Sequence, residues 1–304
     1  MINKDKMKKK IYLYMCGGLG NQLFQYAAAK NLALQNNRDL YVDYITGFWT
    51  DFRDFRKFEL NKKKLTQCKL QFIVIIYIIY RLFNKFFKYK KLIKNFFGYT
   101  IIDETNLNYF KKQLKNLNTS NDVYLIGYFQ SEKYFIENKE NILKELKPIA
   151  PKKKIFKIMK NKMVKTNSVS LCIRKFEGLS NKAKYKMGGI STNEFYKKSI
   201  NKILQKITKP EFFIFSSKKE NLTKILKNFP ILKKYKINLI TSDTGFSNAY
   251  DNIWLLSYCK NHIISNSTLY WWGAYFSTIN YKNRIICCAN NFHNIDTCFN
   301  DWKI

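Results

Sequence analysis

Arginine is scarce in this chain of 304 residues. Only six of its 55 basic residues are arginine, at positions 38, 53, 56, 81, 174 and 284; the other 49 are lysine. Recognition of phosphates and base edges favours guanidinium forks, so a lysine excess reads as solvated surface rather than a nucleic-acid groove. The formal net charge of +34 is still large enough to attract an anionic substrate or membrane surface. Histidine occurs twice, at 262 and 293, and the seven cysteines (16, 68, 172, 259, 287, 288, 298) form no CxxC pair. Zinc-site spacing is therefore absent, and an odd, scattered cysteine count predicts reduced, buried thiols in a cytoplasmic protein. Long apolar runs are missing as well. The basic N-terminus leads only into Ile11 to Met15, too short for an export signal. The longest uncharged apolar run, Phe72 to Tyr80, is half a bilayer span. No Asp-x-Asp and no internal repeat occur.

What is present describes a folded α/β chain. The hydrophobic fraction of 46% and the 25 Phe, 21 Tyr and 5 Trp rule out disorder, and the length suits two domains. The chain is organised around Cys16 to Ala29, CGGLGNQLFQYAAA. Ile11 to Met15 reads as a strand, Gly17, Gly18 and Gly20 as a turn, and Leu23 to Leu34 as a helix. Such a turn lets a ligand approach the N–H groups that open the helix, a geometry suited to phosphate. The pattern is neither GxGxxG nor the P-loop. Asn21, Gln22, Gln25 and Tyr26 form a polar edge on an otherwise apolar helix, which predicts a cleft-facing side.

Asp39 to Tyr44 alternates as a second strand, with Asp43 near its carboxyl end, where open α/β sheets place ligands. Asp51 and Asp54, in WTDFRDFRKFEL, are further acceptor-pocket candidates beside a plain reading as surface ion pairs. Leu70 to Phe83 is expected in the core, and the lysine-aromatic stretch Asn84 to Phe97 is the candidate membrane-surface helix. KPIAPKKK, Lys147 to Lys154, carries two of the four prolines and is the linker, giving domains of 1–154 and 155–304. Beyond it, strand-like segments at 168–173, 211–215, 237–241, 262–265 and 284–287 alternate with helices. The expected architecture is GT-B-like: two Rossmann-type domains facing a central cleft.

Ser168 to Gly178, SVSLCIRKFEG, ends a strand in Arg174, whose fork matches two phosphate oxygens at a ligand crevice. In SNSTLYWWGAYF, Asn266, Ser267 and Thr268 open a helix and can bond phosphate, while Tyr270, Trp271, Trp272 and Tyr275 read as core. Asp243 is a candidate acceptor for guanine N–H groups, Asp251 a helix cap, and Ser191 to Glu194 a capping box.

Three blocks resemble, in order, those of glycosyltransferase family 11, the bacterial α-1,2-fucosyltransferases: GGLGNQLFQYAAAKNLA, the Arg174 strand and SNSTLYWWGAYF. The resemblance implies that Gly18, Gly20, Asn21 and Gln22 hold the donor from the N-terminal side, and that Arg174 matches the first Arg of HxRRxD, which clamps the β-phosphate of a GDP-sugar. Cys172, Lys175 and Glu177 stand where that motif has His, Arg and Asp, and Ser217 and Lys218 replace the acids of FSDD. The implied activity is inverting transfer of L-fucose from GDP-β-L-fucose to a galactoside 2-hydroxyl, in O-antigen or capsule assembly. Without Asp-x-Asp, leaving-group charge would fall to Arg174, helix ends and hydroxyls, so no metal or other cofactor is expected. Asp43, Asp51, Asp54 and Glu177 are the possible general bases, with Glu177 preferred for its closeness to Arg174. Expected partners are the nucleotide sugar and a β-galactoside acceptor, lipid-linked at the inner membrane face, with no nucleic acid. The rivals are a transferase using another nucleotide sugar and a basic protein that binds nucleic acid or membrane.

Overall fold

The computed structural model describes residues 8–49, 57–60, 65–67, 70–87, 93–105, 109–112, 117, 119–175, 180–186, 188–216 and 222–304. The chain divides into two compact units, Met1–Leu146 and Lys147–Ile304. The division falls at the start of the proline-bearing stretch rather than after it. Ile149 meets the Tyr250 hydroxyl through its backbone, and Lys147 and Pro148 line a small cavity with Trp254 and Tyr258, so this stretch packs with the second unit.

The first unit runs β1 (Lys10–Tyr14), α1 (Leu19–Gln35), β2 (Asp39–Asp43), α2 (Thr46–Trp49), α3 (Leu70–Phe87), β3 (Ile93–Phe96), β4 (Tyr99–Asp103), β5 (Asp122–Ile126) and α4 (Lys139–Leu146). Its sheet has the order β2-β1-β5-β4-β3; only the β3–β4 hairpin is antiparallel. β1 and β5 pair at the centre of the sheet, so the chain leaves both central strands at the same edge. α1 is buried almost all round, so its polar edge faces protein rather than a cleft. Gln25 accepts from the Cys16 N–H at 3.1 Å, and Asn31 donates to the Tyr134 carbonyl at 2.9 Å. α3 packs Ile76, Tyr77 and Tyr80 against Tyr14, Ile101, Tyr124 and Ile126. The expected core segment is thus a helix with one buried side. The expected membrane helix over Asn84 to Phe97 is not one element: α3 ends at Phe87 and the chain returns as β3.

The second unit runs α5 (Lys154–Lys165), β6 (Asn167–Ile173), α6 (Asn181–Lys186), α7 (Asn193–Lys206), β7 (Pro210–Ser216), α8 (Leu222–Asn228), β8 (Ile237–Ile240), α9 (Ala249–Leu256), β9 (Asn261–Ile264), α10 (Thr268–Asn280) and β10 (Ile286–Cys288). Every strand pairing is parallel, in the order β10-β9-β6-β7-β8, the Rossmann order, with its switch point between β6 and β9. β7 is buried along its whole length and β6 after its first residue, as expected of central parallel strands. Val169, Leu171, Phe212 and Ile214 meet Tyr196, Ile200 and Ile203 of α7 on one face. Five of the six described cysteines are buried, and all six are free thiols.

Candidate active site

At the switch point between β6 and β9, Cys172 pairs with Ile264, so Arg174 and Asn266 leave adjacent strands at the same height. Arg174 is half-buried. Its strand exit is held from below: the Tyr270 hydroxyl donates to the carbonyls of Ile173 (3.2 Å) and Phe215 (3.4 Å), and the Tyr196 hydroxyl to that of Cys172 (3.2 Å). Cys172 is fully buried, and desolvation pushes its thiol pKa up, so this position meets core rather than ligand. Ser267 begins α10 without a side-chain cap bond, and the Ser265 hydroxyl is fully buried with no partner among the described residues. Three turns of helix thus present an end not closed by its own cap residue, beside a buried hydroxyl and a guanidinium, the equipment of an anion site. The aromatic face behind is core, as expected. Trp271 stacks on Tyr275 at 4.5 Å and donates to the Thr297 carbonyl at 2.8 Å.

Asn266 has another task than the one expected. Its amide donates to the carbonyls of Gly189 (2.6 Å) and Asn291 (3.2 Å), while the Asn291 amide donates to those of Gly188 (2.8 Å) and Gly189 (3.2 Å). Gly188, at φ 89°, lies so close that an added Cβ would fall 1.7 Å from the Asn291 oxygen. The two asparagines therefore clamp a glycine loop onto the switch point. The sequence signal for this loop is slight, a Gly188-Gly189 pair after a short helical stretch, with no motif around it. Thr268 is the first residue of α10. Asp243 is exposed beyond β8, two strands from Arg174 across β7, and accepts from the Thr241 hydroxyl. Asn248, not Asp251, caps α9, its side chain accepting from the Asp251 N–H at 3.1 Å. No box forms at α7 either: Thr192 caps it, and Glu194 pairs with Lys198 at 2.8 Å. Glu177, Ser217 and Lys218 lie outside the described residues.

At the carboxyl ends of β1 and β5, Gly17 takes φ 74°, and an added Cβ would stand 3.0 Å from the Asn21 amide nitrogen and 3.5 Å from Tyr128. Gly18 is the N-cap of α1, its carbonyl accepting from the N–H groups of Asn21 and Gln22, and Gly20 is buried in the first turn. Asn21 is half-buried and accepts from Gln130 at 2.9 Å, which joins the exits of β1 and β5. Gln22 is corrected from a donor contact to an internal clamp. It is fully buried, donates to the carbonyls of Gly17 and Lys57 (both 2.9 Å), which takes up both its N–H donors, and accepts from the Glu59 N–H (2.9 Å). Asp43 is corrected likewise. At 1% exposure its carboxylate accepts from the N–H of Ile45 and Thr46 and from the Tyr124 hydroxyl, so it forms the turn after β2 and is closed to an acceptor sugar. Asp51 and Asp54 lie outside the described residues.

Glu104, which nothing in its sequence context marks, holds the β5 exit. Its buried carboxylate accepts from the N–H of Tyr128 (2.9 Å) and Phe129 (3.1 Å), and fixes Phe129 at φ 50°. Burial raises its pKa to about 7, against the lowering effect of those two bonds.

Two Rossmann-type units in one chain, each gathering polar groups at the carboxyl ends of its central strands, define the GT-B-like α/β class. Within that class the chain belongs to Glycosyl transferase family 11, whose sequence profile matches residues 10–294. It is 31% identical over 267 residues to an alpha-1,2-colitosyltransferase of Escherichia coli, covering 86% of this chain and 85% of that one. It is 29% identical over 292 residues to the O-antigen biosynthesis glycosyltransferase WbnK of Escherichia coli, covering 91% and 92%. Among solved structures, the fucosyltransferase NodZ from Bradyrhizobium aligns with a TM-score of 0.46 at 11% identity, covering 88% of this chain and 92% of that one.

Proposed function

We propose that this glycosyltransferase moves L-fucose from GDP-β-L-fucose to the 2-hydroxyl of a β-galactoside, with inversion and without a metal, in O-antigen or capsule assembly. The observation that carries the reading is Arg174 at the end of β6 beside the α10 N-terminus. The acceptor oxygen attacks the anomeric carbon, the bond to the β-phosphate breaks with its electron pair on GDP, and the hydroxyl proton passes to a base, assigned to Glu177. Negative charge grows on the departing diphosphate, where Arg174, Ser267, Thr268 and the helix end oppose it. Asp243 is assigned to the guanine edge, and Gly18, Gly20 and Asn21 to the donor from the first unit. The relatives named for O-antigen and α-1,2 transfer support the setting and the linkage.

The test is GDP release from GDP-fucose in EDTA with lactose or N-acetyllactosamine as acceptor. Acceptor-dependent release is expected; its absence, with release from another nucleotide sugar, overturns the donor. The 31% relative favours one such alternative specifically, a colitosyl donor, and GDP-colitose belongs in the same assay. Arg174→Ala should lower turnover at least a hundredfold with an unchanged melting temperature, and activity within threefold of the parent would remove its assigned role.

A further inference from the structure

The apolar surplus of α3 serves neither the core nor the transfer reaction. The helix is pinned in one rotation: Tyr77 stacks on Tyr14 at 4.5 Å, and the Tyr80 hydroxyl donates to Asp103 at 2.9 Å. With Ile76, Tyr77 and Tyr80 turned inward, Ile75, Ile78, Ile79, Leu82 and Phe83 form the outer side, each 37% to 52% exposed. Their spacing of i, i+3, i+4, i+7 and i+8 is a continuous stripe along two helical turns. Single exposed apolar residues need no explanation, but a stripe of five marks a contact surface.

Charge around the stripe identifies what it meets. From Leu60 to Ile102 the chain has ten lysines and arginines and no aspartate or glutamate. A chain of net charge +34 whose sequence on both sides of the stripe is basic and free of acids repels a basic protein surface and is drawn to an anionic one. A stripe of Ile, Leu and Phe on an 18-residue helix, with exposed Arg81 beside it, suits burial to the depth of the acyl-chain boundary. Among the described residues no helix is long and apolar enough to cross a membrane, so the helix would lie on the bilayer. We propose that the outer face of α3 docks this protein on an anionic lipid bilayer. The proposal goes beyond the transferase reading and does not depend on its donor or acceptor.

Flotation of the full chain with vesicles of phosphatidylglycerol and phosphatidylethanolamine (30:70), in 150 mM NaCl, tests it. The parent should float with these vesicles and stay behind with pure phosphatidylcholine. Ile78→Ser/Leu82→Ser, which keeps the net charge, should lose at least tenfold in partition coefficient while keeping its melting temperature and its activity on a soluble acceptor. Lys227→Ser/Lys233→Ser, on exposed positions of the second unit, should float like the parent. Equal flotation of the serine pair and the parent, equal losses in the two pairs, or no flotation of the parent would each overturn the proposal; the first two leave adhesion by net charge, the last leaves the stripe to a protein.

Discussion

His262 and Glu104 are the two buried titratable side chains whose pH effects oppose each other. The His262 ring lies between the hydroxyls of Ser170 (2.8 Å) and Ser277 (2.9 Å), tying β6, β9 and α10 together. Burial, helped by Arg284, lowers its pKa from 6.5 to about 3. The folded state thus keeps the ring neutral, and its contribution is complete above pH 6.5 and falls toward pH 3 by about 1.4 kcal/mol per pH unit. Glu104 works the other way. Raised from 4.5 to about 7, it favours folding while protonated, so its contribution is complete below pH 4.5 and is lost as pH rises to 7. Between pH 4.5 and 6.5 the two slopes offset each other. Urea unfolding across this range should show His262→Gln with stability falling as pH rises and Glu104→Gln with stability rising; parallel profiles for the two variants would contradict both assignments.

At the scale of elements, the site depends on what grips the strand exits. Tyr270→Phe removes the donor to the Ile173 and Phe215 carbonyls, at a cost of about 1 kcal/mol of stability. Because Arg174 lies just past that exit, the same change should lower turnover severalfold with donor affinity nearly constant. Gly188→Ala must push the loop off Asn291 and break the 2.6 Å bond from Asn266, so GDP affinity should drop at least tenfold by calorimetry. The strand-turn-helix starts and the two blocks at the β6–β9 switch point were readable, because period and turn chemistry are local. The use of Gln22 and Asp43 was not. Gln22 looked available because two of its partners, Lys57 and Glu59, come from a distant segment, and Asp43 because the turn its carboxylate closes is buried under the Tyr124 hydroxyl from β5.

For the whole molecule, the +34 charge is a cost in self-repulsion that salt screens. Raising NaCl from 50 to 500 mM should therefore raise the melting temperature, while flotation with anionic vesicles falls; a melting temperature lowered by salt would mean that attractive ion pairs prevail. Composition, hydrophobic period and the order of the three blocks determined the α/β class, the two-unit plan and the family, since all three are carried along the chain itself. Only the tertiary structure decided which polar residues remain for a ligand. Burial is set by segments far apart in sequence, so Gln22, Asp43 and Asn266 became braces, Glu104 emerged as the holder of the β5 exit, and the side of α3 that carries Ile75, Ile78, Ile79, Leu82 and Phe83 was left facing outward.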